Sequence, residues 1–308
     1  MIRRYSIALI SISVVVAAMF IYSSRHELIA AISSASVTFA LLTFVTTLAY
    51  NLVIWIVFHS SAGAGKAYLQ TSKMYFGAQV AKYMPGKVWG IVYQATLKAA
   101  GMPMGHIVQA NIVVLAVSVI STVFVSLALI VYPVSLVAAS VVLLVGGWLS
   151  AYILNSDHLY QIIQRLSRLA KRFELTSEVP EIEFSLPTRF AIYGLLTALY
   201  VVSNICLLYI FFDIELAEAL QLIAYLGIAW LAGLVVAVTP SGLGVREVVF
   251  VALGSVAGTG SYDLYASIAI VVRVVQVFQD LAFAFLVPSA IGFFENKNET
   301  RTKKTKNS

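Results

Sequence analysis

The chain has 308 residues, of which 60% are hydrophobic and only 11% charged, with a mean hydropathy of +0.92 and a formal net charge of +6. A soluble domain carries roughly a quarter charged residues, so this composition excludes an ordinary soluble enzyme and requires a protein that crosses a membrane several times. The lone cysteine, Cys206, lies in an apolar run, which excludes disulfides within the monomer and cysteine metal sites.

The first apolar run covers residues 5–22 and follows Arg3-Arg4. That order resembles a secretory signal, but the run is long and Ala17-Ala18-Met19 is a poor cleavage site, so it reads as a retained span. Further runs of about 18 residues or more, long enough to cross a bilayer, cover 37–58, 107–131, 134–154, 190–212, 219–238 and 264–294. Residues 245–258 are shorter and read as a half-span.

Two proline-glycine breaks interrupt this pattern. The first is Lys82-Tyr83-Met84-Pro85-Gly86-Lys87-Val88-Trp89-Gly90 and the second Thr239-Pro240-Ser241-Gly242-Leu243-Gly244-Val245-Arg246-Glu247; Gly90 and Gly244 lie 154 residues apart. Broken segments at corresponding places in two halves mark a substrate site near the bilayer midplane, because unwound backbone at that depth must line a cavity. Gly86, Gly90, Gly242 and Gly244 permit backbone geometry barred to other residues, and Pro85 and Pro240 each free a carbonyl from its helical partner.

Seventeen of the twenty Lys and Arg fall in alternate loops: Arg3 and Arg4; Lys66 to Lys98; Arg165 to Arg189; and Lys297 to Lys306. The loops between them carry Glu27, Asp213, Glu215, Glu218 and Asp263 against Arg25 alone. This positive-inside bias accounts for the net charge without nucleic acid and puts both termini in the cytoplasm of a multi-pass plasma (inner) membrane protein.

The fold expected is all-α and polytopic, with about 6–8 transmembrane helices and two re-entrant or broken segments in an inverted-topology repeat. Residues 1–154 form the N-terminal half, with a first re-entrant segment at 66–100; residues 188–294 form the C-terminal half, with a second at 219–258. Between them, 155–187 holds an amphipathic stretch and an acidic linker. Its apolar stripe suits either the membrane interface or the protein's own cytoplasmic face. The basic tail, 295–308, reads as disordered.

Arg246, Glu247, Arg273 and Asp280 are charges inside apolar segments, where an uncompensated one costs about 2.5–3.5 kcal/mol. Arg273, Gln276 and Asp280 are spaced to share one helical face. Glu247 is placed to pair with Arg273, as part of a cavity or as a structural tie. The helix N-termini after Gly86 and Gly244 carry partial positive charge suited to a phosphate, and Lys82, Lys87 and Arg246 add full charges. Lys82 and Lys87 equally suit a role in setting topology, and Tyr83, Trp89 and Tyr93 suit interfacial anchors.

Other chemistries lack a constellation. Gly63-Ala64-Gly65-Lys66-Ala67 misses the leading glycine and the hydroxyl residue of a P-loop. His26, His59, His106 and His158 lack ligand spacing. No catalytic residues, metal or cofactor are expected.

The two break motifs, with Gly101-Met102-Pro103 after the first, resemble the lysylphosphatidylglycerol synthase transmembrane family, which is flippase-like, over roughly residues 37–294. The resemblance implies an inverted-repeat polytopic protein with re-entrant helices, whose relatives move aminoacylated phospholipid between leaflets or accompany glycan and lipid pathways. Pro85, Gly86 and Gly90 match the family's first break, and Pro240, Gly242, Gly244, Arg246 and Glu247 its second. Arg273 resembles the arginine often found in the following span. In the first half many members place an arginine and a glutamate where Gln94 and Gln109 or Asn111 stand here. The aminoacyltransferase domain of full-length synthases is absent from this sequence, so a stand-alone membrane member without lysyl transfer is expected. The reading is a translocase for an anionic phospholipid or lipid-linked glycan. The rivals are a non-transporting subunit that organises envelope biosynthesis enzymes, and an intramembrane sugar transferase using Glu247. The partners expected are the lipid, envelope enzymes and, as an open point, further copies of the chain.

Overall fold

The computed structural model describes residues 36–62, 65, 68–83, 89–97, 103–155, 184–236, 240–242, 244–257 and 262–306. The expected first span at 5–22, the amphipathic stretch and linker within 156–183, and Pro85, Gly86 and Lys87 lie outside them. Among the described residues the fold is all helix: α1 (Val37–Ser61), α2 (Tyr68–Ala81), α3 (Trp89–Leu97), α4 (Met104–Val131), α5 (Leu136–Ile153), α6 (Leu186–Phe211), α7 (Leu216–Val235), α8 (Val245–Ala257) and α9 (Tyr262–Lys306), with a 3-10 turn at Pro240–Gly242.

Six of these, α1, α4, α5, α6, α7 and α9, are long and apolar enough to cross a membrane. The protein is therefore an all-α, multi-pass membrane protein. By contrast α2, with 14 residues, rises only about 21 Å, short of the ~30 Å hydrocarbon core. It also carries Gln70, Thr71, Ser72, Lys73 and Gln79, so its polar face needs protein rather than lipid beside it. The 13-residue α8 is equally short.

Packing follows a reciprocal scheme. Helix α1 packs on α6; α2 packs on α9 while α7 packs on α4; α2 folds back on α3 as α7 does on α8. Lipid gives helices no hydrophobic reason to associate, so close contacts rely on small residues. Gly77 lies under the Tyr93 ring, closing α2 on α3, and Gly254 lies under the Tyr265 ring, closing α8 on α9. At Gly227, α7 meets Thr122 and Ser126 of α4. Two buried apolar clusters result. One gathers Phe58, Met74, Phe76, Ile107 and Phe283 around α2. The other gathers Leu208, Leu222, Phe250, Tyr265 and Ile268 around α7 and α8. The outer face of α5, with Val137, Leu144 and Trp148 exposed, presents apolar surface of the kind lipid covers.

The expected spans agree with the helices to within a few residues, with one correction. The tail expected to be disordered from 295 continues α9 without interruption through Lys306. Its four lysines and Arg301 are good helix formers and, at the C-terminal end, complement the helix dipole.

Candidate functional site at the two breaks

The second break is held in strained backbone. Ser241 adopts φ 50°, Gly242 φ 75° and Gly244 φ 83°, all left-handed, and a non-glycine residue there is uncommon. Arg273 of α9 compensates by donating from Nη2 to the Ser241 carbonyl at 3.0 Å. Glu247, in the first turn of α8, accepts the Gly244 N–H at 2.7 Å and faces Arg273 Nε at 3.8 Å. The expected Glu247–Arg273 pair therefore forms, and Arg273 is 3% exposed. The expectation that the helix N-terminus after Gly244 is free for a phosphate needs correcting at its first donor, which the helix's own carboxylate already occupies.

Arg246 has a different environment. Its guanidinium lies 5.9 Å from the Trp230 ring centroid, a cation–π contact across α7 and α8. Its Nε, like that of Arg273, is buried without a hydrogen-bond partner, but among the described residues no carboxylate pairs with Arg246. The side chain threads between Gly233 and Gly242: a Cβ on Gly233 would stand 2.5 Å from Arg246 Cγ, and one on Gly242 2.8 Å from its Nε. Both positions must stay glycine for this arginine to reach its place. Gly233→Ala is expected to displace Arg246 and slow any activity of the site by roughly tenfold or more, while Gly194→Ala, which meets nothing within 4 Å, leaves it unchanged. Activity of the two variants in parallel checks this.

Arg246, Glu247, Arg273 and Gln276 line one cavity of about 70 Å³ with Tyr200, Asn204 and Trp230. That volume suits a few waters or a single phosphate-sized group, and a lipid's acyl chains must lie outside it.

Asp280 faces the other break. It pairs with Lys82 Nζ at 2.7 Å and accepts the Tyr83 hydroxyl at 2.6 Å. The polar stripe Arg273, Gln276, Asp280 is thus real, and it joins the two breaks instead of serving one. Tyr83, expected as an interfacial anchor, is buried at 8% exposure, its ring 5.4 Å from both Lys82 Nζ and the Arg273 guanidinium. Tyr93 likewise serves the α2–α3 closure. Gly90 sits in the first turn of α3 and faces Ala78 of α2 at ordinary contact distance. In the first half, Asn111 of α4 donates to Gln94 of α3 at 2.6 Å, an uncharged amide pair. Gln109 is buried on α4.

Sequence reasoning missed Tyr200, Asn204 and Trp230. Asn204 had a weak signal as an amide inside an apolar run; Tyr200 and Trp230 had none, since an aromatic residue in a span reads as lipid-facing until its neighbour is known.

Among the described residues no cluster of His, Cys, Asp and Glu suits a metal ion. No curated protein and no solved structure matches the chain. One family profile does, described as the lysylphosphatidylglycerol synthase TM region, and it matches residues 7–284. That match covers both breaks, all six candidate spans but the end of α9, and every charged residue of the site, so the chain belongs to the lysylphosphatidylglycerol synthase TM region family.

Proposed function

We propose that this protein is a flippase-like translocase that carries an anionic phospholipid or lipid-linked glycan intermediate across the inner membrane by its headgroup. The observation that carries the reading is the charge balance between the breaks. Among the described residues, Lys82, Arg246 and Arg273 face two carboxylates, Glu247 and Asp280, each already held by one of the other cations. Of these, Arg246 is the cation without a carboxylate partner among the described residues, and it lines a cavity of phosphate size. An unpaired charge at membrane depth is costly, and an anion that arrives there removes the cost.

Two further observations support it. The reciprocal packing of α2 on α9 and α7 on α4, with α1 on α6 between them, is the arrangement that an inverted repeat with two re-entrant hairpins produces. The alternating loop charge supports hairpins entering from opposite faces, with both termini cytoplasmic. The transferase alternative needs a free carboxylate, and Glu247 has one oxygen on the Gly244 N–H and the other toward Arg273. We therefore take the protein not to be an enzyme.

The test uses the full chain in proteoliposomes, with fluorescent phosphatidylglycerol and a membrane-impermeant quencher. Lipid movement faster than in protein-free vesicles, lost in Arg246→Ala, is expected. No movement by the pure protein would favour the organising-subunit alternative, and unchanged movement in both Arg246→Ala and Glu247→Gln would sink the site. Product formation blocked by Glu247→Gln while lipid still crosses would favour a transferase.

A further inference from the structure

Three cations stand in file from one break to the other. Arg246 lies against the second break, Arg273 reaches from α9 to the Ser241 carbonyl, and the Tyr83 ring has Arg273 and Lys82 each 5.4 Å from its centroid. Lys82, at the end of α2, differs from Arg273 in access: its side chain is 38% exposed where that of Arg273 is 4%. Its carboxylate partner, Asp280, is 12% exposed and has a second hold, the Tyr83 hydroxyl.

We infer that Lys82 is a second station for the anionic headgroup, at the first break, which Asp280 occupies when no substrate is there. The inference rests on the reading that Arg246 holds an anion. A cation left empty at this depth is expensive, so a station that must be vacant for part of a cycle needs an internal anion as placeholder. Exchange of a phosphate for that carboxylate conserves the local charge count. Lysine suits such an exchange, because its ammonium is a point charge with three rotatable donors, whereas a guanidinium in a fixed fork holds its partner by geometry. Asp280 can give up Lys82 and still keep the Tyr83 hydrogen bond, which avoids a wholly unsatisfied buried carboxylate. An ion pair that only tied α2 to α9 would need neither the exposure of Lys82 nor the second hold on Asp280.

The inference gives Asp280 the role of a positioning residue and competitor, and the variants separate it from a structural tie. Binding of dioctanoyl phosphatidylglycerol to the purified full chain in detergent is measured alongside thermal unfolding and lipid movement. Asp280→Asn is expected to bind roughly tenfold more tightly, because the competitor is gone, and adding Lys82→Met removes that gain. The neutral double variant Lys82→Met/Asp280→Asn keeps the wild-type unfolding temperature, since an ion pair exchanged for uncharged residues of similar size often costs little, yet moves lipid at least about tenfold more slowly. Wild-type binding in Asp280→Asn, or wild-type lipid movement in the folded double variant, overturns the inference. Should the wild-type chain move no lipid while the Asp280→Asn gain and its loss with Lys82→Met are both seen, translocation fails and the station stands.

Discussion

Arg246→Ala is expected to reduce lipid movement by roughly ten- to a hundredfold while leaving the unfolding temperature in detergent unchanged or slightly raised. Under the proposed function, the loss follows from a charge-assisted contact to phosphate, about 1.5–3 kcal/mol, in which each 1.4 kcal/mol is tenfold. The retained stability follows from what Arg246 does not hold. Its Nε is buried without a partner, and no carboxylate among the described residues depends on it. Truncation orphans no carboxylate among the described residues and removes a charge that is poorly compensated when the site is empty. Arg246→Lys keeps the charge but loses the planar face over Trp230 and the fork that a phosphate can use in two places, so an intermediate rate is expected. Loss of movement accompanied by an equal loss of fold would contradict the assignment, because it would make Arg246 structural.

Arg273→Ala is expected to give the opposite signature, a loss of stability of about 2–3 kcal/mol, below the range for breaking a fully buried ion pair from one side because Glu247 is only half-buried. Arg273 holds the carbonyl of Ser241 in left-handed backbone and faces Glu247. Its removal leaves a half-buried carboxylate and a strained turn together. Arg273→Met combined with Glu247→Gln is expected to recover much of the loss, because no uncompensated charge remains and glutamine can still accept the Gly244 N–H. Thermal unfolding of the single and double variants in the same detergent measures the coupling directly. Additive losses would mean that the pair does not hold the break.

The contrast between these two arginines shows how far the sequence could be read. Both stood out as charges in apolar segments, and the cost of such charges made them candidates without any structure. The pairing of Glu247 with Arg273 was also legible, because each lay near a break or in the span following it. Which arginine was spare was not legible. That depended on Gly233 and Gly242 giving Arg246 a passage to Trp230, and on Asp280 being taken by Lys82.

Lys82 illustrates the same limit. In the sequence it is one of five lysines in a basic loop region, and topology explains it as well as chemistry does. Its neighbour Tyr83 meets Asp280 across 197 residues of chain, a separation no local pattern reports. Trp230 and Tyr200 were hidden for a related reason. An apolar run fixes that a helix forms and crosses the membrane, but in lipid every face of that helix can be apolar, so periodicity carries little information on which face meets protein.

The sequence by itself determined the membrane class, the positions of the six long spans, the two break motifs and the four charges within apolar segments, because each follows from local quantities: hydropathy over about 20 residues, the backbone freedom of glycine and proline, and the cost of desolvating a charge. Only the tertiary structure decided how those charges are shared. The α9 helix passes both breaks, holding Arg273 at one and Asp280 at the other. The balance of three cations and two carboxylates among the described residues is a property of that packing, since the strength of a charge pair depends on distance and burial that the chain acquires only when folded.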